Sequence, residues 1–150
     1  MGTEAEALER MIERYSPEVA ELGRSLIAQM RARIPQANAL VYDNYNALGV
    51  GFARDHSSSG VIISVVLYPR WVSLFFFKGA LLDDPAGLLQ GSGTIIRHIR
   101  FQDAAEFARP EVESLIAAAL DLVEPPLDPT VEGRLVIKSI SARQRPRRPA

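Results

Sequence analysis

Apolar residues recur along the chain first with a helical period and then with a strand period. Leu8, Met11, Ile12 and Tyr15 fall three and four residues apart and make one stripe. Ser16 then reads as an N-cap, with Pro17 at the first helical position and Glu18 in the first turn. A second stripe follows through Val19, Leu22, Leu26, Ile27, Met30 and Ile34, and Pro35 stops it. From there the pattern alternates. Residues 37–43, 47–55, 61–69 and 71–79 read as strands rich in β-branched and aromatic residues. Only Pro69 and Arg70 separate the last two, which predicts a tight hairpin. A loop from Gly79 to Thr94 with one helical turn near Pro85–Leu88 leads to a fifth strand, residues 95–101. Asp103 and Glu106 have capping-box spacing, and Pro110 opens a last long helix with the stripe Val112, Leu115, Ile116, Ala119, Leu120 and Val123. Residues 134–141 add an edge strand.

Runs of helices flanking runs of strands predict an α+β fold. The expected architecture is a two-layer antiparallel sheet of five to six strands, a four-strand meander plus one or two, with two N-terminal helices and one long C-terminal helix. The domain spans residues 1–141, and 142–150 form a basic, flexible tail.

Side-chain alternation shows a second apolar face on this sheet. In the third strand Val61, Ile63, Val65 and Leu67 face one way, yet Ile62, Val66 and Tyr68 on the other side are also apolar. The second face is therefore expected to be covered, by the Gly79–Thr94 loop, by the C-terminal segment or by a second copy of the chain. In the second strand, Ala47, Gly49, Gly51 and Ala53 leave one side nearly bare. Glycine inside a strand marks a bulge, a bend or the close approach of a backbone or ligand. Gly49 and Gly51 are thus a candidate groove floor, and packing of the loop onto it is the competing structural reading.

Composition narrows the chemistry. The 150 residues fit one domain, and 47% apolar content supplies a core. There is no cysteine, which removes disulfides, thiolate metal ligands and cysteine nucleophiles. The N-terminus lacks the basic start and apolar centre of a signal peptide, and no apolar run is long enough to span a bilayer; a cytoplasmic protein without membrane association is expected. Net charge is −1, but the last thirteen residues hold five cationic and no acidic side chains, so the remainder carries about −6. That tail is expected to touch nucleic acid only weakly, through phosphates, because no aromatic platform accompanies it in sequence.

The stretch GLLQGSGTIIRHIRF (Gly87–Phe101) fits neither a Walker loop, which needs Lys-Ser/Thr and a helix after the last glycine, nor a dinucleotide fingerprint. Its cations are more suggestive. His98 and Arg100 share one side of the fifth strand and Arg97 the other, and with Lys78 they could hold an anion. Tyr42, Asn44, Tyr45 and Asn46 could orient a small polar ligand, although the same residues are turn formers. No catalytic or metal-ligating set is legible. The acids of the first two helices are interleaved with Arg10, Arg14 and Arg24, as on a solvated face.

Residues 40–120, above all the Lys78–Gly93 core and Arg97–Phe101, together with VIKSISARQRPRR near the C-terminus, resemble the YdhG-like family of bacterial domains of unknown function, some of whose members are described as frataxin-like iron chaperones. The resemblance implies a compact α+β fold with an antiparallel sheet and supplies no catalytic residues. The functional expectation is a non-enzymatic domain, without cofactor, that binds a small polar or anionic ligand or a protein partner. The alternatives are a frataxin-like iron-binding chaperone and a homodimeric structural module.

Overall fold

The computed structural model describes residues 2–149. The element order is α1 (Glu4–Glu13), α2 (Pro17–Arg33), β1 (Asn38–Asp43), β2 (Leu48–Ala53), β3 (Val61–Leu67), β4 (Val72–Phe76), β5 (Arg97–Phe101), α3 (Ala104–Phe107), α4 (Pro110–Asp121) and β6 (Leu135–Ile140). The protein is α+β, with one six-stranded, mostly antiparallel sheet and four helices. No helix among the described residues is long and apolar enough to cross a membrane.

Local chemistry sets the helix ends. Thr3 and Glu6 form a reciprocal capping box at α1, and Asp103 accepts from the Glu106 N–H at α3. Pro17 and Pro110 begin α2 and α4, where a missing N–H leaves no hydrogen bond unmade. Along the strands one set of alternating residues, including Val50, Phe52, Val65, Leu67, Leu74 and Phe76, is fully buried in a core shared with Ile12, Leu26, Met30 and Ile116 of the helices. Gly23 lets α2 approach β3 closely: a Cβ there would sit 2.6 Å from Leu67 Cδ2.

Strand order is β5-β4-β3-β2-β1-β6. The meander therefore continues through β5, and the tight hairpin at Pro69–Arg70 is present, with Tyr68 donating to the Trp71 carbonyl at 2.9 Å. The sheet is not wholly antiparallel, because β6 runs parallel to β1. Parallel neighbours need a long crossover. Here α4 and the segment after it carry the chain from the β5 edge to the opposite one, and a register shift falls between Val41 and Tyr42.

The Gly79–Thr94 loop also differs in detail. Its helical turn lies at Gly79–Leu81 rather than at Pro85–Leu88. The Asp84 carboxylate instead accepts from the Leu88 and Leu89 N–H groups at 3.0 and 2.8 Å, with Gly87 at φ +67 completing the turn. Leu82, Leu88 and Leu89 pack against the main core. The loop's leucines thus join the main core, and no residue of the loop lines the concavity over Gly49 and Gly51.

Candidate functional site

The bare side of β2 forms the floor of an open concavity of about 730 Å³. Register explains its shape. Gly49 lies between Tyr42 of β1 and Val66 of β3, and Gly51 between Leu40 and Ser64, so two rows across the sheet each have no side chain at the middle strand. A Cβ at Gly49 would meet its nearest neighbours at 3.8–3.9 Å, ordinary contact distance, whereas one at Gly51 would sit 3.0 Å from Val61 Cγ2, so the floor is roomier at Gly49 than at Gly51. Tyr68, Phe75 and Phe77 wall the groove on the β3–β4 side. The Ser64 hydroxyl donates to the Val50 carbonyl at 3.3 Å and stays on the floor as an acceptor.

Tyr42, Asn44, Tyr45 and Asn46 all line this groove, at the end where β1 turns into β2. That turn is closed by the Asn44 N–H donating to the Ala47 carbonyl at 2.9 Å. Its outer side is held by the tail. Arg147, only 3% exposed, donates to the Asp43 carboxylate at 2.8 Å, to the Asn44 carbonyl at 2.6 Å and to the Tyr45 carbonyl at 3.4 Å. The Arg145 N–H donates to the Tyr45 carbonyl at 2.9 Å, and the Gln144 amide donates to the Asp43 and Ser141 carbonyls at 3.2 Å. Arg147 also lies 5.7 Å from the Tyr15 ring centroid. Burial raises the Tyr15 phenol to about 12, the Arg147 charge opposing that rise. The tail expected to be a free basic end therefore has specific partners and fastens the groove's polar rim.

The four cations assigned to the groove do not converge on it. Lys78 borders a separate hollow of about 140 Å³ near the end of α4, beside Arg54. Arg97 shares the side of Phe76 and donates to the Gly93 and Ile96 carbonyls at 2.7 and 2.8 Å. His98 and Arg100 are on the groove side of β5 but engage aromatic rings. His98 stacks on Phe75 with centroids 5.1 Å apart, and the Arg100 guanidinium lies 4.0 Å from the Trp71 ring centroid. Burial, with the Arg100 charge adding to it, holds the His98 imidazole below its ordinary value, so it is neutral near pH 7. Among the described residues the groove lining carries no charged side chain.

The walls at Phe75, Phe77 and Ser64 are groove residues that sequence reasoning did not single out. Phe75 and Phe77 carried a signal in that they alternate with Leu74 and Phe76 along the fourth strand, both sets being apolar, whereas Ser64 carried none. Trp71 with Arg100 had no local signal, since the two are brought together only by β4–β5 pairing. Among the described residues no three His, Asp or Glu side chains are grouped to hold a metal ion. The chain was compared with family models, curated proteins and solved structures, and nothing matches.

Proposed function

We propose that this protein is a non-enzymatic binding domain that seats a small molecule with a flat, largely apolar body on the groove over Gly49 and Gly51. The reading rests on a two-layer arrangement in which the helices take one face of the sheet and leave the other as a binding surface. The observation that carries it is the groove itself, with a glycine floor, aromatic walls and an amide and hydroxyl rim in one concavity. Ligand sites characteristically combine an apolar lining with a few placed polar groups. Tyr42, Phe75 and Tyr68 would contact the ring faces and edges. Asn44, Asn46 and Ser64 would satisfy polar substituents.

An iron-chaperone role is less well supported. It calls for free carboxylates, whereas Glu9 makes a two-point pair with Arg24 at 2.8 and 2.6 Å, and Glu113 pairs with Arg33. A homodimer joined through the groove face is a second reading, favoured by the exposure of Tyr45 and Ile96 on the groove's borders.

The test is thermal unfolding against a panel of aromatic metabolites, with Gly49→Val as the control that fills the floor. A ligand at a hundredfold excess over its dissociation constant stabilises by about 2.7 kcal/mol. Stabilisation of the wild type that disappears in Gly49→Val is the expected result. Equal stabilisation of both proteins refutes the groove as the seat. No stabilisation by any compound, together with a concentration-dependent dimer in sedimentation, turns the assignment to the homodimer.

A further inference from the structure

A second concavity of about 720 Å³ adjoins the groove, the two sharing Asn46 and Tyr68 as lining. This second site differs in charge. Arg70 from the β3–β4 turn and Arg145 and Arg148 from the tail are among its lining residues, and among the described residues no carboxylate side chain lines it. Among the described residues none of the three forms a salt bridge with an acid. Arg148 donates to the Arg14 and Glu13 carbonyls, which orients the side chain without neutralising it. Arginines that line one concavity without a paired acid favour an anion there. Guanidinium forks match phosphate oxygens in particular.

The same concavity contains an aromatic platform. Trp71 lies with Tyr68 as a stacked pair, centroids 5.1 Å apart and planes inclined by 27°, and Arg100 lies over the indole. In sequence the basic tail stood alone; in the fold it is beside this platform. Aromatic stacking surfaces next to arginines are the chemistry that holds phosphorylated bases.

Resting on the groove as a seat for a flat ring, we infer that the ligand is a nucleotide, its base over the Gly49 floor or on the Tyr68–Trp71 edge and its phosphate on Arg70, Arg145 and Arg148. The shared chemistry is a base joined to a phosphate, whether free or within a single strand. Phosphate charge and stacking supply the affinity, with the Asn44, Asn46 and Ser64 side chains as the groups that could contact base edges.

Trp71 is the protein's single tryptophan, so its fluorescence reports directly on this site. The full-length protein is titrated with the common nucleoside monophosphates, the corresponding nucleosides, inorganic phosphate and a short single-stranded oligonucleotide, at low and high salt. Monophosphates should perturb Trp71 and bind more tightly than nucleosides. Arg70→Ala and Arg145→Ala should each weaken monophosphate binding about tenfold or more, as expected for loss of a charge-assisted contact, while melting like the wild type. Affinity should fall as salt rises. Tighter binding of the oligonucleotide than of any monophosphate also supports the inference and assigns the phosphates to a strand. Nucleosides binding as tightly as their monophosphates, with the arginine variants unaffected, overturns the phosphate seat and leaves the groove reading intact. Inorganic phosphate matching the monophosphates, with Gly49→Val without effect on either, overturns the nucleotide and the groove together. No response to any of these probes overturns the nucleotide while leaving other ring compounds open to the groove.

Discussion

At the scale of single residues, Arg147 ties the C-terminal segment to the β1–β2 turn. It is buried to 3% exposure with Asp43 beside it, equally enclosed. Removing one member of a buried pair leaves the other as an uncompensated charge, which costs about 3–5 kcal/mol. Arg147→Ala should therefore lower the unfolding free energy measured in urea by that order, and Arg147→Lys should lower it less, since a lysine keeps the charge but cannot reach Asp43, Asn44 and Tyr45 at once. His98 gives a second residue-level expectation. Its folded-state value lies below the ordinary 6.5, through burial first and the Arg100 charge second. A histidine held neutral by the fold takes up its proton sooner when unfolded. Its contribution is therefore complete above pH 6.5 and is lost as pH falls through that value. The carboxylates whose values are lowered, Glu6, Glu9, Glu111 and Asp128, titrate at lower pH. Stability measured from pH 7.5 down to about 5.5, where an unperturbed imidazole changes charge, should decline in the wild type and stay flatter in His98→Gln. Neither residue's partners were legible in sequence. Arg147 looked like part of a solubilising end, and its partner Asp43 is 104 positions away.

At the scale of elements, glycines separate what packing needs from what the groove needs. Gly133 starts the approach to β6, where its N–H donates to the Pro35 carbonyl at 2.7 Å, and a Cβ there would collide with the Ala37 carbonyl. Backbone cannot step aside as a flexible side chain can. Gly133→Ala should destabilise by about 1–3 kcal/mol or more, the range for overpacking, and slower exchange protection should be lost first along β6. Gly49→Ala, with ordinary contact distances around its new methyl, should leave the melting temperature within the range of a neutral change. Both outcomes are read in one thermal series. The strand period made β2's bare side visible in sequence because alternation needs only local information. The parallel pairing of β6 was not visible, because its partner β1 lies almost a hundred residues earlier and an edge strand can join either way. The loop at Gly79–Thr94 shows the same limit. Its leucines announced burial but not which side of the sheet they would cover, and that choice decides whether the groove is open.

At the scale of the whole molecule, the C-terminal segment joins parts that are distant in sequence. It contacts the end of α1 through Arg148, the end of β1 through Gln144 and Arg147, and the groove rim through Arg145. A protein truncated after Ser141 separates two explanations of that arrangement. If the tail contributes mainly by its own contacts, its loss is spread over several surface hydrogen bonds, each worth about 1 kcal/mol net. If it contributes mainly by neutralising Asp43, the loss is concentrated in one orphaned carboxylate, and Asp43→Asn should restore much of it in the truncated protein. The second outcome is expected, because the Asp43 side chain is enclosed in the intact chain and its other cation, Arg14, is half exposed and 3.8 Å distant. The same substitution in the intact chain should be destabilising, since it leaves Arg147 buried without its counter-charge. A double-mutant cycle in urea, with truncation and Asp43→Asn as its two arms, measures the coupling directly. Opposite signs for Asp43→Asn in the two backgrounds place the tail's energetic role at the buried pair, and equal signs place it in the surface contacts.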